Sequence, residues 1–340
     1  MTVQAWFNRI WYRAAAPPWW LVPLALGYRA IASSRRFLYA RGLLNAQRLP
    51  CPVIVVGNVT AGGTGKTPLV IWLAVHLQAL GAHPGIVTRG YSGSERGVRL
   101  VEASDDPGRV GDEAVLLARR TRVGVAVGRD RPAAARCLLA AGCDVILSDD
   151  GLQHHALARD CEIVVVDGAR HFGNGRLLPA GPLRETPARL RDADAVVVNG
   201  FGAPLDRGLK MRLEATAAVS LHDGTRKSLA AFSGVSVHAV AGIGNPDRFF
   251  AMLRRHGIEV TEHALADHAR ITPADILFAD RKIVLMTEKD AVKCTGLGDD
   301  RHWYVPVDAC FSDADGDALL GIVTQSMAAR IRSEDEVPLG

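Results

Sequence analysis

NVTAGGTGKTPLV, residues 58–70, stands between the apolar run VIVVG and a helix-length stretch that continues to about Leu80. The common phosphate-loop pattern is GxxxxGK[ST]. Gly65, Lys66 and Thr67 fit it, but Thr60 stands where the pattern wants glycine. The misfit leaves the physical device intact. Glycines let consecutive backbone N–H groups turn inward around phosphate oxygens, and the helix N-terminus behind them adds partial positive charge. Lys66 then reaches the terminal phosphates, and the Thr67 hydroxyl is a ligand for Mg²⁺. The expected nucleotide-binding set is Thr60, Ala61, Gly62, Gly63, Thr64, Gly65, Lys66 and Thr67, with ATP and Mg²⁺ as ligands.

The two adjacent glycines, Gly62 and Gly63, match the deviant GGxGK[ST] form found in one large branch of P-loop proteins. Many members of that branch carry a second lysine just before the glycines. Ala61 holds that position here, which disfavours the dimer-type ATPases that use the lysine.

Further apolar runs follow at 85–91, 123–128, 143–150, 161–168 and 194–200, separated by helix-length segments. Strands this continuously apolar indicate a parallel sheet covered on both faces. The expected fold is α/β, a P-loop NTPase-like, doubly wound, mainly parallel sheet over 46–205. A weakly patterned linker is expected at 206–234, a smaller α/β domain at 235–330 and a frayed acidic tail at 331–340. The run CDVILSDD ends in Asp149 and Asp150, at the sheet edge where ligands gather in open α/β folds, and both are candidate metal ligands. Neighbouring strand residues face opposite ways, so the turn DDGLQHH has to re-aim the second carboxylate. Arg89, in TRGY, ends a strand at the same edge and is a candidate phosphate ligand.

The chain has 340 residues, 48% hydrophobic and 22% charged, with a net charge of +4. That is ordinary globular material, and its basic residues do not cluster with aromatics as a nucleic-acid surface requires. No nucleic-acid partner and no obligate protein partner is expected. The six cysteines form no CxxC pair, as expected of small buried hydrophobes in a reducing compartment.

Residues 1–45 differ from the rest. AAAPPWWLVPLALGYRAIA, residues 14–32, is apolar, rich in Trp, broken by Pro17, Pro18 and Pro23, and followed by Arg35, Arg36 and Arg41. A full span needs about 20 apolar residues, and a signal peptide needs a small-residue cleavage site, which is missing. A helix packed on the domain and a monotopic anchor remain. The aromatic and basic flanks favour the anchor, so a membrane surface is an expected partner and a lipid an expected substrate.

GNVTAGGTGKTP, TRGYSG, VGDEA, SDDGLQH, VVDGARHFGNGRLLPAGPLRE, VVVNG and TEKDAVK, in this order and spacing, resemble the tetraacyldisaccharide 4′-kinase family of lipid A biosynthesis. The resemblance covers nearly the whole chain. It implies phosphorylation, by ATP, of the 4′-hydroxyl of a tetraacylated glucosamine disaccharide 1-phosphate at the cytoplasmic face of the inner membrane. It also implies catalytic roles for Asp112, in the GDE stretch, and for His268, after Asp267, with His263 as the nearby alternative. Asp112 is the expected proton acceptor, His268 its support and Lys66 the phosphate cation, with Thr67, Asp149, Asp150 and Glu185 around the ion. The rival class is a membrane-associated P-loop ATPase or switch, which has no need of the GDE and Asp-His pair.

Overall fold

The computed structural model describes residues 3–12, 16–202, 205, 207–294 and 296–335. Among the described residues a nine-stranded sheet runs in the order Asp308–Phe311, Gly208–Glu214, Ala195–Asn199, Cys161–Asp167, Val53–Gly57, Val145–Asp149, Pro84–Thr88, Gly124–Val127 and Arg99–Val101. The inner strands pair in parallel. Only the two edge strands are antiparallel to their neighbours.

Strand alternation divides the core between the two faces. Ile54 and Val56 join the cluster under the helices Lys66–Ala79 and Asp112–Thr121, whereas Val53 and Val55 join the cluster under Arg131–Ala140. The helix Lys66–Ala79 buries Leu69, Val70, Leu73, Ala74 and Leu77, the spacing of one helical face. The strand that delivers the glycine loop is central, between Cys161–Asp167 and Val145–Asp149. Its register pairs Val56 with Asp149, which brings the aspartate to the mouth of the loop.

A second sheet of six strands runs Arg226–Ser228, Ala217–Ser220, His302–Val305, Ile283–Thr287, Ser236–Ala241 and Glu259–Ala264. Phe249, Phe250 and Leu253 of the helix Pro246–Arg255 pack on one face. Residues 206–234, expected as a linker, instead supply Gly208–Glu214 to the large sheet and two strands to the small one. The pattern is weak there because Gly208–Glu214 buries only Met211. The smaller unit is an insertion and does not run to residue 330. The chain returns through Asp308–Phe311 and the helix Asp313–Asp335, whose Leu319 and Val323 complete the large core. Residues 331–335 of the expected tail continue this helix, and 336–340 lie outside the described residues.

At the N-terminus, the helices Val3–Tyr12 and Leu21–Ala40 are tied to the large unit. Trp11 Nε1 donates to the Pro179 carbonyl at 3.0 Å and Tyr28 Oη to the Arg184 carbonyl at 3.2 Å. Pro23 lies in the first turn of its helix, where the N–H has no partner to lose. Only Leu21 and Ala25 of the longer helix are buried, while Leu24, Leu26, Ile31 and Phe37 are exposed. No described helix is long and apolar enough to cross a membrane.

Leu73 is fully buried and Val75, on the same helix, is exposed. Leu73→Ala is expected to cost about 2–5 kcal/mol of unfolding free energy and Val75→Ala less than about 0.5 kcal/mol, read from urea unfolding monitored by circular dichroism.

Candidate active site

The glycine loop is shaped by left-handed backbone at Gly62 (φ 106°) and Gly65 (φ 96°), conformations glycine adopts without strain. A Cβ on Gly65 would stand 2.5 Å from Asn199 Nδ2. That amide donates to the Thr64 carbonyl at 2.9 Å, turning the carbonyl out and the neighbouring N–H groups in. Among the described residues, the N–H groups of Gly62 to Thr67 donate to no protein acceptor outside the helix. Thr60 and Ala61 are used otherwise. Thr60 bridges Leu183 in antiparallel fashion, Ala61 N–H donates to the Pro182 carbonyl at 2.7 Å, and Arg184 N–H donates to the Val59 carbonyl at 2.7 Å. Of the eight residues expected to bind nucleotide, Thr60 and Ala61 thus have their backbone engaged by residues 182–184.

The two adjacent aspartates have separate surroundings. Asp149 is buried, and its Oδ2 accepts from the Thr67 hydroxyl at 3.4 Å. Burial, with the charge of Glu113 added, pushes the Asp149 carboxyl up to about 7 against the pull of Lys66. Asp150 takes a positive φ of 48°, which turns its carboxylate toward Lys66 Nζ, 3.4 Å away, and toward Arg184 Nη1, 2.9 Å away. Burial alone would raise the Asp150 carboxyl, but Lys66 and Arg184 hold it well below the usual range. Buried Arg131 fixes this turn by donating to Ser148 Oγ at 2.8 Å and to the Asp150 carbonyl at 3.0 Å. Burial lowers the Arg131 guanidinium itself to about 10.

Three buried polar atoms here lack a protein partner: Asn58 Oδ1, Thr64 Oγ1 and Asp149 Oδ1. Such atoms are rare in native proteins and indicate a ligand or ordered water. Among the described residues no group of three His, Cys, Asp or Glu could hold a metal unaided. Mg²⁺ beside a nucleotide needs no such cage, since one or two protein oxygens join phosphate and water ligands. Thr67 Oγ1 and the orphaned Asp149 oxygen fit that demand. Asp150 is occupied by two cations. Glu185, also expected at the ion, accepts from Gln153 Nε2 at 2.8 Å and faces Arg189 Nε at 3.5 Å. Arg89 is exposed, directly after the strand Pro84–Thr88.

The second part of the site lies between the two sheets. Asp112 begins the helix Asp112–Thr121 and is 2% exposed. His268, on a loop of the small unit, places Nδ1 2.9 Å from Asp112 Oδ2 and 3.1 Å from Oδ1. Its backbone is left-handed (φ 59°), which is uncommon for a non-glycine residue and a recurrent mark of functional sites. His263 is not part of this group. It lies on the edge strand Glu259–Ala264 and shares a 2.9 Å contact with His238 Nδ1. Burial would raise Asp112, but the His268 hydrogen bond, with Lys289 and Lys293, brings it below its ordinary value. Gly244 of the small unit closes on the same place, its Cβ position 3.5 Å from Gly63 N.

Sequence reading did not single out Glu113, Arg131, Lys289 or Lys293. A usable signal was the scarcity of lysine: of six in the chain, Lys66, Lys289 and Lys293 stand at the site.

The sequence pattern of the tetraacyldisaccharide-1-P 4′-kinase family matches residues 17–325. The tetraacyldisaccharide 4′-kinase of Nitrosococcus oceani is 47% identical over 328 residues, 96% of each chain. That of Alkalilimnicola ehrlichii is 50% identical over 302 residues, 86% of this chain and 90% of the relative. The crystal structure of LpxK from Aquifex aeolicus in complex with ATP superposes with a TM-score of 0.77 at 29% identity, covering 90% of this chain and 98% of the other.

Gly65→Ala combines an unfavourable backbone angle with a clash against Asn199. It is expected to weaken ATP binding by tenfold or more, about 1.4 kcal/mol, in isothermal titration, with an unchanged far-ultraviolet dichroism spectrum.

Proposed function

The chain belongs to the tetraacyldisaccharide-1-phosphate 4′-kinase family, and on that premise we propose how its own residues carry the transfer. The reaction moves the γ-phosphoryl group of ATP to the 4′-hydroxyl of a tetraacylated glucosamine disaccharide 1-phosphate, the 4′-kinase step of lipid A synthesis. Phosphoryl transfer leaves little covalent work for the protein, so positioning and charge neutralisation carry it.

The N–H groups of Gly62 to Thr67 cradle the phosphates of ATP, and Lys66 neutralises charge on the β and γ oxygens. Before nucleotide arrives, Asp150, itself held by Arg184, keeps the Lys66 ammonium at the loop. Thr67 and Asp149 would hold Mg²⁺, which would neutralise phosphate charge there. Arg89, exposed at the sheet edge, is a ligand for nucleotide or acceptor phosphate.

The single observation that carries the assignment of the base is the Asp112–His268 pair, with a 2.9 Å hydrogen bond, at the same seam where the small unit approaches Gly63. Asp112 accepts the proton of the 4′-hydroxyl. In a loose transition state the nucleophile bonds late and its proton is lost late, so a carboxylate of low basicity suffices. Closure of the small unit on the large one completes the site and excludes water.

The acceptor enters from the N-terminal side. A cavity of about 430 Å³, lined by Phe7, Trp11, Ala61, Gly62, Arg170 and Asp267, opens between the first helix, the glycine loop and the small unit. Its aromatic wall suits an acylated sugar. The exposed Leu24, Ile31 and Phe37 of the next helix face the cytoplasmic leaflet of the inner membrane, where the protein lies as a peripheral or monotopic enzyme.

The direct test is transfer of ³²P from ATP to the detergent-solubilised acceptor. Asp112→Asn is expected to lower kcat by about 10²–10⁴-fold with ATP binding retained, and Lys66→Ala to weaken both binding and transfer. Unchanged turnover in Asp112→Asn would remove Asp112 as base. The double variant Ile31→Ser/Phe37→Ser is expected to reduce co-sedimentation with anionic vesicles by at least tenfold, since each buried side chain contributes about 1.5–3 kcal/mol, while ATP affinity holds.

A further inference from the structure

The cavity beside the glycine loop contains a cation that the roles above leave unused. Arg170 follows the strand Cys161–Asp167 in a turn that fixes its backbone. Its N–H donates to Asp167 Oδ1 at 3.0 Å, and its carbonyl accepts from the Gly173 N–H at 2.9 Å. The half-buried side chain lines the cavity together with Phe7 and Trp11 of the first helix and with Gly62.

The guanidinium lies over the Tyr12 ring, 4.8 Å from its centre, and interacts with the Tyr12 hydroxyl. The same hydroxyl donates to the Ala61 carbonyl at 3.4 Å, so one phenol ring separates the cation from the start of the glycine loop. Stacking occupies the face of a guanidinium and leaves the donors along its edge, of which arginine has five. Neither acid beside Arg170 answers them. Asp167 gives Oδ1 to the N–H groups of Ala169 and Arg170, while its Oδ2 faces Arg248 Nη1 at 3.6 Å. Asp267, on the cavity wall, faces Lys289 Nζ at 3.4 Å. An arginine held by its backbone, stacked on one face and left without a carboxylate at a cavity wall presents a planar fork that matches a phosphate.

We infer that Arg170 binds the anomeric phosphate of the acceptor and so determines specificity for the 1-phosphorylated disaccharide. The inference rests on the kinase reading above and deepens it by naming the group that recognises the acceptor's own phosphate. Two kinds of phosphate come to this cavity. Those of the nucleotide are met by the N–H groups of Gly62 to Thr67 and by Lys66, whereas Arg170 stands off that loop, against Tyr12 of the first helix. In the acceptor, two sugar rings separate the 4′-hydroxyl from the anomeric phosphate. With the hydroxyl at the glycine loop, only a cation set back from the loop reaches that phosphate, and holding it there turns the correct end of the disaccharide toward ATP.

The test follows ³²P transfer from ATP by the full-length protein in mixed micelles, with two acceptors that differ only in the anomeric phosphate. Wild type is expected to favour the 1-phosphate by about 10–100-fold in kcat/KM, the scale of hydrogen bonds to a charged group. In Arg170→Met that ratio falls to about one through a higher KM for the 1-phosphate acceptor, and KM for ATP does not rise with it. Arg170→Lys keeps the charge without the fork and retains part of the preference; it supplies the same comparison, with a smaller fall, should the far-ultraviolet dichroism of Arg170→Met show misfolding. A wild type indifferent to the anomeric phosphate, a preference that survives in Arg170→Met, or an equal loss with both acceptors overturns the inference. So does an effect confined to KM for ATP, which would place Arg170 on the nucleotide. Absence of transfer by wild type to either acceptor would instead overturn the kinase reading, so the two failures are separable.

Discussion

An ionised carboxylate buried at the seam of two sheets is the constraint around which this molecule is organised. Asp112 is 2% exposed, and a charge so far from water is tolerable only when partners surround it. They come from the inserted unit: His268 at hydrogen-bond distance, with Lys293 at 3.6 Å and Lys289 behind the imidazole. At Asp112 the large unit supplies the acid and the small unit the bases. Their attraction holds the two units together at Asp112. Arg120 of the large unit strengthens the same seam through Glu288, 2.6 Å away.

The glycine loop obeys a related logic. Its N–H groups face inward because other groups hold its carbonyls outward: Asn199 takes the Thr64 carbonyl and Asn58 Nδ2 takes that of Thr60 at 2.7 Å. Arg248, from the inserted unit, donates to Asn199 Oδ1 at 3.0 Å. The loop is thus stabilised by the same small unit that supplies His268, so the glycine loop and the Asp112–His268 pair share supports. The residues with left-handed backbone here, Gly62, Gly65, Asp150 and His268, are where the chain must turn a functional group against its local preference. Asp150 shows the benefit. Its unusual φ separates two adjacent carboxylates, one toward Thr67 and one toward Lys66, in a way a straight strand cannot.

The N-terminal helices join this arrangement from outside. Tyr12 Oη donates to the Ala61 carbonyl at 3.4 Å, and Tyr28 Oη to that of Arg184. Both contacts fall on backbone next to phosphate-handling residues. The N-terminal segment is therefore also a wall of the cavity beside the glycine loop.

Much of this was legible in the residues alone, for a local reason. A parallel sheet covered on both faces writes itself as apolar runs, and a glycine loop as a short contiguous pattern, so the parallel strands of the large sheet and the loop between the first of them and its helix follow from the sequence. The weakly patterned strands around residues 208–228 escaped because edge strands bury few side chains, and the insertion of one unit within the other leaves no mark in local periodicity. The choice of His268 over His263 as the neighbour of Asp112, the capture of Thr60 by Leu183, the division of Asp149 from Asp150 and the presence of Lys289 were decided by tertiary structure only. Each depends on distances between groups far apart in the chain, and electrostatics acts through those distances, whatever the spacing along the sequence.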